Sequence, residues 1–386
     1  MTHAPSTYNA PATAFGPRIR KSPFFEATQR YGCKAYSVYN HMYLPLYYDD
    51  PVADYWNLIN HVTVWDVACQ RQVEITGPDA SRFVQYLTPR NLSRLSVGQC
   101  KYVFVTNEAG GVINDPILLR LGKNQFWLSL ADGDILLWAQ GVALHSMMNV
   151  QIYEPDVSPL QVQGPKSLET MQALVGNWVS ELRYYWFQEA KIGHIPVIVS
   201  RTGWSSERGY EIFLRDSRFG DELWERVMEA GKEFEIAPGA PSAIRRIEGS
   251  MLSYGADMYM VENPFELGLE RLVDLDQDAD FIGKDALRVI KSKGVSRHIC
   301  GLEIHARPIS LNEQPWPVRA DDQPIGHVTS AVHSPRLQKN IALAMLATDY
   351  TTLGTKVTVE APSDNLDAAV VPVPFYDPKK ALATSI

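Results

Sequence analysis

The chain has 386 residues, 45% of them hydrophobic, and a net charge of −8. That length exceeds one ordinary core and calls for two or three domains. The acidic balance without a basic stripe argues against nucleic acid as a partner, and no apolar run is long enough to make a membrane one. Four scattered cysteines lack CxxC spacing, and nine dispersed histidines form no HExxH or HxH pair. No protein-ligated metal is therefore expected, and a reducing cytoplasm fits best.

Residues 1–17, rich in Pro, Ala and Thr, lack the apolar core of a secretory signal and read as a flexible arm. A helix with an apolar stripe is predicted over 51–60, then a strand over 62–67. A short strand over 72–75 ends in Thr76-Gly77-Pro78, and the next residues, DASRFVQYLTP, read as an amphipathic helix with Asp79 as N-cap. Strands over 101–106 and 116–121 flank a turn at 107–111. This is a hairpin whose Gly110-Gly111 can take positive φ. A strand over 125–130 and a helix over 132–144 follow, and a strand–turn–helix pattern recurs from Gln161 through Gly164 to Val175. Helices are predicted over 219–234, stopped by Pro238-Gly239, and over 241–254. Strands and helices mix without a βαβ rhythm and without GxGxxG, which points to an α+β fold. From Arg297 short strands, turns and prolines suggest a separate all-β domain over 297–386, joined by a linker at 291–296.

Two runs carry candidate chemistry: NEAGGVINDP at 107–116 and SRTGWSSERGYE at 200–211. Each holds a Gly turn beside one acid that packing does not require, Asp115 and Glu211. Two such acids suggest a pocket for a polar, nitrogen-rich ligand, because a carboxylate accepts parallel N–H bonds. The plainer readings are a turn aspartate for Asp115 and an exposed strand carboxylate for Glu211. Trp204 sits in a Gly-flanked turn, a poor place for a core tryptophan.

The ordered motifs GPDA, NEAGGVIND, QGPKS, RTGW…GYE, RRIEGSMLSYGADM, NPFELGLERLV, DFIGKDAL and GHVTSAVHSP resemble the glycine-cleavage T-protein superfamily of tetrahydrofolate-dependent one-carbon transferases. The resemblance runs from about residue 20 to 376. Within the superfamily SVYNHMYLP, VWDVACQRQVEITG, SLADGD, IYEPDV and GKEFEIAPGAP are most similar to the bacterial dimethylsulfoniopropionate demethylases. VYNHM and DVACQR stand where aminomethyltransferases carry FAGW and DVSHMG, and the KGCYxGQE-like run of folate-dependent iron–sulfur maintenance proteins is absent.

The resemblance implies a three-domain cloverleaf around a central channel. Two interleaved α+β folate-binding domains would span 18–291, and a C-terminal β-barrel would complete it. It implies tetrahydrofolate as methyl acceptor, a small-molecule methyl donor and a homodimer. Asp115 would act at the reactive end of the pterin. Glu211 would clamp the amino-pyrimidine edge, with Tyr102, Trp204 and Ser129 beside the cofactor. Trp204, Tyr39 and His41 would face the donor, aromatic faces suiting a sulfonium cation, and Arg20 would meet its carboxylate. Phe213 stands where the demethylases carry a tyrosine, which removes a hydroxyl near the cofactor. The same fold also serves O- and N-demethylases, aminomethyltransferases and non-catalytic folate-binding regulators.

Overall fold

The computed structural model describes residues 15–130, 132–362 and 364–385. Nearly all of the arm expected over 1–17 lies outside them. Phe15, at its visible end, sets its ring edge-on against Phe25, Tyr36 and Tyr43.

Two sheets carry the first two-thirds of the chain. The six-stranded sheet runs in the order Phe187–Ile192, Ile195–Ser200, Gly209–Leu214, Ser158–Gln163, Val62–Asp66, Ile236–Gly239. The last strand is parallel to its neighbour. The five-stranded sheet runs Gln151–Tyr153, Gln72–Thr76, Gln125–Ser129, Ile117–Gly122, Cys100–Tyr102. Successive side chains on a strand face opposite ways, and each sheet uses that alternation to build two different faces. Leu160, Val162, Val197, Val199 and Ile212 enter a core with the helices Ser167–Val175 and Gly220–Gly231. Val73, Ile75, Phe126 and Leu128 pack with Ala80–Leu87 and Ile135–Ser146.

The remaining faces meet each other. Cys100, Leu119 and Trp127 of the smaller sheet share a buried cluster with Phe187, Ile198 and Phe213 of the larger. The Trp127 and Phe213 rings lie 5.9 Å apart, and the Trp127 indole N–H donates to Glu74 at 2.9 Å. Trp127→Ala would open a void between the sheets and remove the indole bond to Glu74, leaving Gln125 on its carboxylate at 2.7 Å, so a loss of about 3–5 kcal/mol is expected. A urea midpoint equal to that of the parent would show that this contact does not join the sheets.

Polar side chains interrupt these inward faces in two rows. Tyr102, Ile117, Ser129 and Gln72 are successive cross-strand partners on the smaller sheet. Trp65, Gln161, Glu211 and Ser200 are successive partners on the larger. The sheet registers thus place Tyr102 and Ser129 opposite the layer that carries Glu211.

The C-terminal strands Arg297–Ile304, Lys339–Ala347, Gln323–Ser334, Trp316–Ala320, Lys356–Glu360 and Asn365–Val371 close into a barrel, filled by residues such as Leu302, Val318, Val328, Ala344 and Val359. The α+β architecture with a closing barrel is the one expected. Three local expectations change. The strand over 101–106 divides into Cys100–Tyr102 and Val105–Thr106, which pair with different neighbours. The helix over 241–254 is only Ala243–Glu248, because Gly249 and the left-handed Ser250 (φ 50°) turn the chain. Asp79 does not cap its helix; its carboxylate accepts from the Asn149 N–H at 2.8 Å. Among the described residues no helix is long and apolar enough to cross a bilayer.

Candidate active site

Asp115 lies between the hairpin strand Val112–Asn114 and the strand Ile117–Gly122. The hairpin needs glycine at its turn: Gly110 has φ 81°, and a Cβ on Gly111 would come within 2.0 Å of the Met260 carbonyl oxygen. The Asp115 carboxylate accepts a 2.9 Å bond from the Tyr102 hydroxyl. Its backbone N–H donates to Asn114 Oδ1 at 3.0 Å, and Asn114 is held in turn by the Asp132 carbonyl. Burial pushes the Asp115 carboxyl up to about 7 from its ordinary 3.8. The Tyr102 bond opposes this and the Asp257 charge adds to it. A carboxyl poised near neutrality can change protonation during turnover.

Glu211 is 4% exposed, on the inward face of Gly209–Leu214. Gln161 Nε2 donates to its Oε1 at 2.9 Å, and the Thr202 hydroxyl donates to its Oε2. Burial raises its pKa, and only these two neutral donors oppose the rise. A buried carboxylate with spare lone pairs and, among the described residues, no cation against it is an unusual arrangement. It fits a ligand that brings its own N–H donors, as the amino-pyrimidine edge of tetrahydrofolate would.

Tyrosines couple the two acids electrostatically. Glu211 acts electrostatically on Tyr184 and Tyr185, Tyr185 acts on Tyr102, and Tyr102 holds Asp115. Ser129 is buried on the Tyr102 row and accepts from Gln72 Nε2 at 3.0 Å. Tyr39 is half-buried, close enough to Arg246, Asp132 and Asp257 for each to act on its hydroxyl, whose pKa burial raises. Trp204 is half-buried with the Arg246 guanidinium 5.9 Å from its ring centre.

Two expected donor residues are placed differently. Arg20 does not stand free for a carboxylate. Its guanidinium meets Glu154 at 3.0 and 3.3 Å, and Arg71 binds the same acid. His41 is exposed, its Nε2 3.9 Å from Asp134. It occupies a two-residue hairpin turn with Asn40 (φ 53° and 61°), the geometry that twisted strands favour. Asn40, not His41, turns inward: it is buried and donates to Cys69 and Asp132 oxygens at 3.1 and 2.8 Å. Phe213 is fully buried in the contact between the sheets, so a hydroxyl at this position would enter an apolar cluster.

Further residues complete the site. Arg246 and Asp257 form a buried ion pair. The barrel clamps it: Thr329 and Ser330 hydroxyls each donate to Asp257 at 2.6 Å, and Arg246 Nη2 donates to Ser330 at 2.6 Å. Tyr254 sits where Asp115 and Asp132 both act on it. Near Tyr102 and Tyr185, Arg90 and Arg271 repel one another, and Arg271 likewise lowers the pKa of Lys380, burial being the larger cause for Arg90 and Lys380. Arg246, Tyr254 and Asp257 fall inside the quoted run RRIEGSMLSYGADM, and Arg271 inside NPFELGLERLV; the tyrosines at 184–185, Arg90 and Lys380 carried no sequence signal.

The GCVT N-terminal domain matches residues 24–277, and the glycine cleavage T-protein C-terminal barrel domain matches 297–377. A dimethylsulfoniopropionate demethylase from Ruegeria pomeroyi is 39% identical over 345 residues, covering 89% of this chain and 94% of its own. An aminomethyltransferase from Thermoanaerobacter pseudethanolicus is 31% identical over 364 residues, covering 93% and 98%. The crystal structure of the glycine cleavage system aminomethyltransferase T of Bartonella henselae superposes with a TM-score of 0.84 at 23% identity, covering 93% of this chain and 99% of that one.

Proposed function

Because the chain belongs to the glycine-cleavage T-protein family of tetrahydrofolate-dependent one-carbon transferases, we propose that it demethylates a sulfonium donor, dimethylsulfoniopropionate. The products would be 5-methyltetrahydrofolate and 3-(methylthio)propanoate. When bound, tetrahydrofolate supplies the nucleophilic N5, which gains the methyl carbon as the C–S bond breaks and loses its proton. Glu211 would hold the pterin by its amino-pyrimidine edge, leaving the other end toward Tyr102 and Asp115. Asp115 would take up the released proton or balance the positive charge of the donor.

One observation carries the choice of a cationic donor. Asp132 acts on both Tyr254 and Tyr39, Asp115 and Glu262 act on Tyr254, and Asp257 acts on Tyr39; the described groups acting there offer one cation, Arg246, already paired with Asp257. A sulfonium would supply the missing positive charge, and each aromatic face would add about 0.5–2 kcal/mol. A neutral thioether is a good leaving group, so the protein needs chiefly to align nitrogen and methyl carbon. A methyl ether would need an acid at its oxygen, and exposed His41 is poorly placed to be one. The cations Arg90, Arg271 and Lys380 suit the glutamyl end of the cofactor.

Purified protein with tetrahydrofolate should form 5-methyltetrahydrofolate from dimethylsulfoniopropionate, and far more slowly from a methoxyarene, dimethylglycine or glycine betaine. Preference for the ether or an amine would replace the sulfonium by that donor. Trp204→Ala should raise the KM for the sulfonium about tenfold while changing tetrahydrofolate affinity much less. Equal losses for both would count against a cation-binding role for this ring.

A further inference from the structure

We propose that Gln161 is a second reader of the reduced pterin, its Oε1 accepting a hydrogen bond from a ring N–H or amino group next to those taken by Glu211. This rests on the assignment of the Glu211 end to the folate.

Gln161 and Glu211 are direct cross-strand partners on the inward face. A carboxylate only accepts, so the 2.9 Å contact from Gln161 Nε2 to Glu211 Oε1 sets the amide's orientation. The amide oxygen must then point away from Glu211. Gln161 is 1% exposed, and its Oε1 is buried without a partner among the described residues. Buried acceptors are rarely left in this state, and each one that is calls for a reason.

Gln163 supplies the contrast. It lies two residues along the same strand, on the same face, and is also buried. Its Oε1 accepts from Ser205 at 2.6 Å, and its Nε2 donates to the Thr202 and Tyr210 carbonyls at 3.4 and 3.3 Å. Gly203 and Gly209 leave room for that amide, since a Cβ on either would come within 2.2 Å of it. The fold therefore satisfies one buried inward amide completely and leaves the acceptor of the neighbouring one without a donor.

The chemistry of the ligand fits that gap. The amino-pyrimidine edge presents more N–H donors than one carboxylate can take in parallel. A second carboxylate here would raise the cost of keeping Glu211 ionised. A neutral amide instead donates to Glu211, helping to keep it charged, and offers a further acceptor without a second charge.

The test is a double-mutant cycle in full-length protein, read by calorimetric titration with tetrahydrofolate and by melting of the ligand-free proteins. Gln161→Met should weaken tetrahydrofolate binding about tenfold or more, with little change in the ligand-free Tm, because losing the bond to Glu211 is offset by removing an unpaired buried acceptor. The loss should persist when Glu211 is already Gln. If Gln161 acted only by orienting Glu211, Gln161→Met would cost nothing further in the Glu211→Gln background, and the proposal would fall. It would fall equally if Gln161→Met bound as tightly as wild type while Glu211→Gln did not. If Glu211→Gln also kept wild-type affinity, the folate assignment of this end would fail first. Gln161→Leu serves as the second variant should the methionine pack poorly.

Discussion

Asp115→Asn is expected to lower methyl transfer about 10²–10³-fold and, at pH 8, to make the protein more stable. The activity loss follows from the role proposed for this carboxylate, taking a proton or balancing charge at the reacting end. The stability gain follows from the raised pKa. Folded Asp115 titrates near 7, against 3.8 as its ordinary value. Between those values the folded protein binds more protons at this group than the unfolded chain does. The group's contribution to stability is thus fully present below about pH 4 and is lost as pH rises through 7. At pH 8 a desolvated charge burdens the native state, and asparagine removes that charge while still accepting from Tyr102. A gain on the order of 2 kcal/mol is expected at pH 8, shrinking toward zero at pH 4. Urea denaturation at the two pH values measures this, and a destabilised variant at pH 8 would show that the carboxylate is not desolvated. The wild-type kcat/KM should rise through about pH 7 as Asp115 ionises, and that step should vanish in the variant.

Glu211→Gln should weaken tetrahydrofolate binding about 10–100-fold, the range for losing a charge-assisted bond to a buried acid. The fold should survive, since glutamine's oxygen can accept from Gln161 while its N–H donates to the Thr202 hydroxyl oxygen, whose proton can turn to Ser200. Burial raises the Glu211 pKa, so wild-type affinity should fall as pH drops and the acid protonates. The variant should lack that dependence. Binding that is equally tight in both proteins would remove Glu211 from the cofactor site.

The features legible in the sequence are those that local geometry dictates. Gly110 and Gly111 mark the Asp115 hairpin because that turn admits no Cβ at its tightest point. Alternation in 209–214 shows a strand in which Glu211 must share a face with Phe213, and burying an acid beside an aromatic calls for a purpose. What stayed hidden depends on distant partners. Arg20 looked free, but its acid Glu154 is 134 residues away. The run 241–254 has helical periodicity, yet half of it leaves the helix to bring Tyr254 and Asp257 to the site, where barrel residues 329 and 330 hold the Arg246–Asp257 pair. Tyr184 and Tyr185 have no periodic signal, since the left-handed Tyr185 (φ 62°) lies in a turn. Gln161 looked like an ordinary strand residue, and only register and hydrogen-bond accounting separate it from Gln163.

In the proposed reaction the two inward sheet faces hold one reduced pterin between Glu211 and Asp115 and deliver a methyl group to it. The direct measurement is a single turnover with dimethylsulfoniopropionate carrying ¹³C in its S-methyl groups. Label should appear on N5 of tetrahydrofolate, with one 3-(methylthio)propanoate formed per labelled folate. Thioether release without labelled folate, or no turnover by protein that binds both compounds, would contradict it.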